Sequence, residues 1–189
     1  MKKGFKKFDE LVKSLETLPT IGKKSAMRLA FHMVMEDSLG ALKIAHSIEN
    51  AIRDLRKCSR CGGLSGDELC YICADEYRDS STLCIVESAK DILIIEEIGE
   101  YQGRYFVLDS LDERIKVLKD LVQKEDIKEI IFALTPSIAN DAVILYVEDF
   151  LKDFDINFTK IAQGVPTGVN LENIDTISLS RALSRRVKI

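Results

Sequence analysis

No run of about 18 apolar residues occurs in the 189-residue chain, so it offers no transmembrane helix. The basic start, MKKGFKKFDELVKSL, has no apolar secretory-signal core behind it. Together these absences predict a cytosolic protein, in a compartment where structural disulfides are rare. Only three prolines are present, with no low-complexity stretch and no internal repeat, so no long flexible linker is expected. The two histidines, His32 and His46, fall in helical stretches with no cysteine or serine in evident reach, which leaves packing or surface roles for both. Neither the phosphate-cradling pattern GxxxxGK followed by Ser or Thr nor the dinucleotide pattern GxGxxG occurs, so no feature asks for a nucleotide.

What is present is ordinary in amount and uneven in placement. With 46% hydrophobic and 31% charged residues, the chain can bury a core as one domain or two small ones. The net charge of −4 conceals an asymmetry: residues 1–57 carry 12 Lys and Arg against 7 Asp and Glu, the remainder 15 against 24. A polyanion would therefore meet the first segment and be repelled by the rest. The exception is the tail, where Arg181, Arg185, Arg186 and Lys188 fall close together. On charge alone, a solvated basic face accounts for either cluster equally well.

The hydrophobic rhythm changes along the chain. Phe8, Leu11, Val12 and Leu15 follow helical spacing, as do Ala26, Leu29, Ala30, Met33 and Val34, and a third run continues from Leu39 to about Leu55 with Leu42, Ala45, Ile48, Ile52 and Leu55 on one side. The first two are joined by Leu18-Pro19-Thr20-Ile21-Gly22, with a helix-stopping proline and a glycine, Gly22, expected to take a positive φ. Beyond residue 80, short apolar runs at Leu83–Val86, Tyr105–Leu108, Ile130–Leu134 and Asn157–Ile161 alternate with helical stretches near 89–98, 111–124 and 138–154. That alternation predicts an α/β domain with a mainly parallel sheet.

Four of the five cysteines lie in CSRCGGLSGDELCYIC, residues 58–73. Cys58, Cys61, Cys70 and Cys73 form two Cys-x-x-Cys pairs, each able to turn two thiolates toward one point, and Gly62 and Gly63 suit a tight knuckle turn. A thioredoxin-like redox motif would have one such pair, not two. The spacing predicts one structural Zn2+ per chain, with no coordination position left for water. Its role would be to fold a segment too short for its own core. Cys84, in the apolar run LCIV, is expected to be a small buried hydrophobe rather than a nucleophile.

Residues 18–30, LPTIGKKSAMRLA, resemble the helix-hairpin-helix motif, which binds DNA or RNA backbones without reading bases. The turn aims backbone N–H groups at a phosphate, aided by the helix dipole, and Lys23, Lys24 and Arg28 stand where they can add phosphate contacts. Residues 83–91, LCIVESAKD, place Glu87 at the C-terminal end of a strand and resemble the first motif of the Toprim fold. Active Toprim members pair that glutamate with an Asp-x-Asp after a later strand to hold magnesium. Here the later strand, EIIFAL, runs into Thr135-Pro136-Ser137, so the acid pair is absent and Asp141 comes only on the following helix. Glu87 and Asp91 are then read as capping, surface or partner-binding acids, and catalysis is not expected.

In order, LPTIGKKSAMRLA, CSRC…CYIC, VESAKD and the C-terminal GVPTG…LSRALSRR resemble the bacterial RecR family over essentially the whole chain. The resemblance implies a helix-hairpin-helix module (1–54), a four-cysteine zinc finger (55–77), a Toprim domain (78–165) and a C-terminal packing segment (166–189). It implies a non-enzymatic recombination mediator in DNA repair that forms a homotetrameric ring around DNA. Such a protein acts with RecO, and in many bacteria RecF, to load RecA on single-stranded gaps coated by single-strand-binding protein. Lys24 and Arg28 match the family's DNA-contacting positions, and Glu87 and Asp91 its Toprim acids, read as partner-binding. Thr20 and Lys23 depart from a common glycine and proline, Thr135 from an asparagine and Ala139 from an acid, and the loop after Leu108 is short. The alternative is a magnesium-dependent Toprim nuclease or strand-transferase. A knuckle lying between two modules would fix their orientation, as a closed ring demands.

Overall fold

A computed structural model describes residues 5–162, 164–165 and 168–184, and the chain divides after Leu55 into two compact units. The basic tail residues Arg185, Arg186 and Lys188 lie outside the described residues, as do Pro166 and Thr167 of GVPTG and the side chain of Arg181. Among the described residues no helix is long and apolar enough to cross a membrane.

The first unit is helical. Helix α1 (Lys6–Glu16) and α2 (Lys23–Phe31) close on a small core of Val12, Ala26 and Ala30, edged by Phe8, Leu11, Leu15 and Ile21. Ala26 and Ala30 lie one turn apart on α2, and their small side chains let the two helices approach closely. The connecting turn is closed by the Ile21 N–H on the Leu18 carbonyl at 3.2 Å, with Pro19 second and a positive φ third, the type II pattern. That third residue is Thr20, at φ 68°. The expectation for Gly22 is therefore corrected: it is extended (φ −88°, ψ 169°) at the N-cap of α2, because the turn closes one residue before it.

Helix α2 runs into a π-helical turn, His32–Glu36, where the Asp37 N–H reaches back to the His32 carbonyl at 2.8 Å. Asp37 then caps α3 (Ser38–Asp54) by accepting from the Gly40 N–H at 2.8 Å. Helix α3 forms where its periodicity places it, but buries none of its residues. Leu39 (81% exposed), Leu42 and Ile52 (77%) stand open, with Phe31, Val34 and Met35 before them.

In the second unit a short antiparallel pair, β1 (Arg56–Lys57) and β2 (Leu64–Ser65), leads to a one-turn helix α4 (Tyr71–Ala74). There follow β3 (Thr82–Val86), α5 (Ala89–Ile98), β4 (Arg104–Val107), α6 (Leu111–Lys124), β5 (Glu129–Ala133), α7 (Ile138–Phe150) and β6 (Asn157–Lys160). The four long strands are parallel in the order β4-β3-β5-β6. A 3-10 turn and α8 (Thr176–Ser184) follow. Helix α7 stops four residues short of its expected end, with residues 151–153 in turns and Leu151 buried.

Alternation along β3 sorts two cores. Leu83 and Ile85 join Phe106, Ile130 and Phe132 against α6 and α7. Cys84 and Val86 join Tyr105, Val107 and Ile92 of α5, together with the four clustered cysteines and Ile72. The cysteine knuckle thus completes, beside α5, the layer on one face of the sheet, and the segment that cannot form its own core borrows the sheet's.

Candidate functional site

The four cysteine sulfurs of the knuckle lie within 4.8 Å of one another, and all four residues are buried. The first pair is set by a tight turn in which Gly62 takes φ +78° and the Cys58 N–H donates to the Gly63 carbonyl at 2.7 Å. A side chain at Gly62 would meet Arg114 Nη2 at 2.9 Å, so both space and backbone call for glycine there. Backbone N–H groups already point at sulfur: Gly63 to Cys61 Sγ at 3.2 Å and Cys70 to Cys58 Sγ at 3.3 Å.

The Cys61 and Cys70 sulfurs are 3.6 Å apart, and zinc with four sulfurs at about 2.3 Å would set them roughly 3.8 Å apart. Their mutual hydrogen bond pushes the Cys61 thiol up to about 12 and holds Cys70 well below the usual thiol range. Cys73 is pushed up by its hydrogen bonds to Cys61 and Cys70. A cluster this tight can become four thiolates only around a cation, so donor type, number and spacing all fit zinc. Cys84, on β3 beneath, is buried and its thiol is pushed up to about 12 by that burial, which makes it a poor nucleophile.

Residues that sequence reasoning passed over tie this knuckle to the sheet. The Val107 N–H donates to the Cys61 carbonyl at 2.8 Å, so the knuckle covers the outer edge of β4. Lys57 pairs with Asp109 at 2.6 Å, and Arg60 pairs with Glu125, which Arg104 also approaches at 3.6 Å. Behind the knuckle, Arg78 pairs with Glu96 and also donates to the Tyr101 and Gly103 carbonyls, while Tyr105 Oη donates to Glu96 at 2.7 Å. The Arg78 guanidinium holds the Glu96 carboxyl below its usual range. Arg60 and Glu125 are 65 residues apart, and the one local hint was a charge inside a Cys-x-x-Cys.

In the helical unit, Lys23 and Lys24 occupy the first two positions of α2, with Arg28 one turn beyond Lys24. All three are exposed, and among the described residues none has an ion-pair partner. Gly22 gives the helix no side-chain cap, so the first-turn N–H groups are left for an outside acceptor. Two lysines at the positive end of a helix dipole work against the helix unless an anion sits there. His32 is turned to Glu36 at 2.6 Å and stands apart from these three cations.

The third place is a cleft of about 550 Å³ at the C-terminal ends of β3 and β5, bordered by Glu87, Lys90, Asp91, Leu134, Thr135 and Pro136. It lies between β3 and β5, whose onward connections run in opposite directions to β4 and β6, the switch point at which open α/β sheets bind ligands. Asp91 is spent in a capping box: its Oδ2 accepts from the Ser88 N–H at 2.8 Å and the Ser88 hydroxyl at 2.9 Å. Glu87 accepts from the Thr135 N–H and from Asn140 Nδ2. Asp141 pairs with Lys160 at 3.6 Å. The two Toprim-like acids therefore lie at one cleft, and each is held by its own neighbours.

Three family models match the chain: the RecR helix-hairpin-helix over residues 8–52, the RecR four-cysteine zinc finger domain over 55–75, and the Toprim domain over 81–162. Curated relatives match along the whole length. The recombination protein RecR of a Nitratiruptor species is 62% identical over all of both chains. That of Campylobacter jejuni subsp. doylei is 55% identical over the same extent. That of Helicobacter pylori (strain Shi470) is 49% identical over 99% of this chain and 97% of its own.

Proposed function

This chain belongs to the RecR family of recombination proteins, carrying its helix-hairpin-helix, four-cysteine zinc and Toprim modules, and on that premise we propose that it is a non-catalytic mediator that grips DNA backbones through α2. Lys23, Lys24 and Arg28 neutralise phosphates, and the uncapped N–H groups of the first turn bind one directly. The observation that carries this reading is the set of three exposed cations without partners, among the described residues, at an uncapped helix start. Cys58, Cys61, Cys70 and Cys73 hold the zinc, and Glu87 and Asp91 shape a surface for a protein partner.

The wider assembly is part of the same proposal. The chain forms a homotetrameric ring around DNA, works in the cytoplasm at the nucleoid, and acts with RecO, and RecF where present, to load RecA on gapped DNA. The open apolar face of Leu42, Ile48 and Ile52 supports self-association, because monomers seldom leave such a stripe uncovered. The module limits 1–54, 55–77, 78–165 and 166–189 are proposed as the division of labour.

Fluorescence anisotropy with labelled DNA of several sequences, titrated across salt, tests the grip. Lys24→Ala/Arg28→Ala should weaken binding to every sequence alike and flatten the slope of log affinity against log salt by about 1 to 2, at roughly 0.7–0.9 per lost phosphate contact. A slope identical to the parent's would refute phosphate contact by these residues.

A further inference from the structure

The Toprim fold implies a magnesium ion at the acid that ends β3, and the residues present do not fit one. Asn140 Nδ2 lies 2.9 Å from Glu87 Oε1 and 2.7 Å from the Thr135 carbonyl oxygen. Both neighbours are acceptors, so the atom between them is the amide nitrogen, with both of its hydrogens used. The same Oε1 also accepts from the Thr135 N–H, and the Asn140 N–H donates at 3.1 Å to Ser137, the N-cap of α7. Glu87 thus joins the end of β3 to the β5–α7 loop and to the first turn of α7, whose dipole favours a carboxylate there.

No second carboxylate completes a cation site. Asp91 is committed to Ser88, and the strand beside Glu87 ends in Leu134-Thr135-Pro136. Among the described residues, the four cysteines are the one group of three or more side chains placed to share a metal. Magnesium, which parts with water reluctantly, would find one carboxylate with one oxygen already saturated.

We infer that the Asn140 amide and the Thr135 N–H stand where a cation would, so that Glu87 is a brace fixing the β5–α7 loop and the cleft wall rather than a metal ligand. The inference is independent of whether α2 grips DNA. The brace gives the cleft a fixed shape without a metal, as suits a surface that is recognised rather than one that reacts.

Amide hydrogen exchange at Thr135 separates the two roles in the full-length, zinc-loaded protein. Glu87→Gln keeps a side-chain carbonyl oxygen to accept both hydrogen bonds but is a poor ligand for a hard cation, whereas Glu87→Ala removes both roles. The expected result is Thr135 protection close to the parent's in Glu87→Gln, and exchange at least about tenfold faster in Glu87→Ala and Asn140→Ala, the scale of one charge-assisted hydrogen bond. Calorimetric titration with Mn2+ should show no binding that depends on Glu87. Stoichiometric Mn2+ binding abolished by Glu87→Gln would overturn the inference, as would unchanged Thr135 exchange in Asn140→Ala or equal loss in Glu87→Gln and Glu87→Ala.

Discussion

Replacing Thr20 with glycine should stabilise this protein, although it removes a side chain. Thr20 sits at φ 68°, a left-handed conformation that costs an L-residue about 1–2 kcal/mol and weighs heavily on a β-branched one. Its hydroxyl reaches only the adjacent Pro19 carbonyl, at 2.6 Å on an exposed turn, so little is lost with it. Glycine gives back roughly 0.5–1 kcal/mol through the greater entropy of its unfolded chain. The balance favours Thr20→Gly by about 0.5–1 kcal/mol. Thr20→Pro, whose ring fixes φ near −65°, should cost about 3 kcal/mol or more. Urea unfolding of the zinc-loaded protein, followed by circular dichroism, reads both changes against the parent midpoint. A glycine variant less stable than the parent would refute the strain argument.

Two further perturbations probe the second unit. Stripping the zinc should uncover the sheet face of Cys84, Val86 and Tyr105 and the edge of β4, so that all five thiols react with a chromogenic disulfide and the protein aggregates. Intact holoprotein should react slowly, and equal thiol reactivity with and without chelator would contradict the shared core. The Glu96 carboxyl is held below its usual pKa by Arg78, so its contribution is present above the unfolded value, near 4.5, and lost as pH falls through the lower folded value. The stability gap between parent and Glu96→Gln should therefore be constant at neutral pH and close on acidification. A gap that widens below pH 4.5 would reverse the sign of that linkage.

Much of this was legible because the signals were local. The run Leu83–Val86 reads as a strand buried on both faces, and it is one, with Cys84 facing the knuckle and Ile85 the opposite core. Two Cys-x-x-Cys pairs name their ligand by chemistry alone. What escaped was set by partners far along the chain. Glu87 meets Asn140 across 53 residues, and Arg60 meets Glu125 across 65. That the knuckle forms half of one layer over the sheet is likewise a tertiary fact. Composition points the positive φ to Gly22, because glycine is its usual bearer, whereas the turn's closing hydrogen bond places it at Thr20. The periodicity of α3 correctly placed an apolar stripe but could not say that the chain leaves it open.

That open stripe leads to the most direct test of a clamp that surrounds DNA, which is native mass spectrometry of the zinc-loaded protein over a range of concentrations. The account predicts a tetramer bearing one zinc per chain, with Leu42→Glu/Ile52→Glu reducing it to smaller species that keep their zinc. A zinc-bearing monomer at every concentration would contradict it.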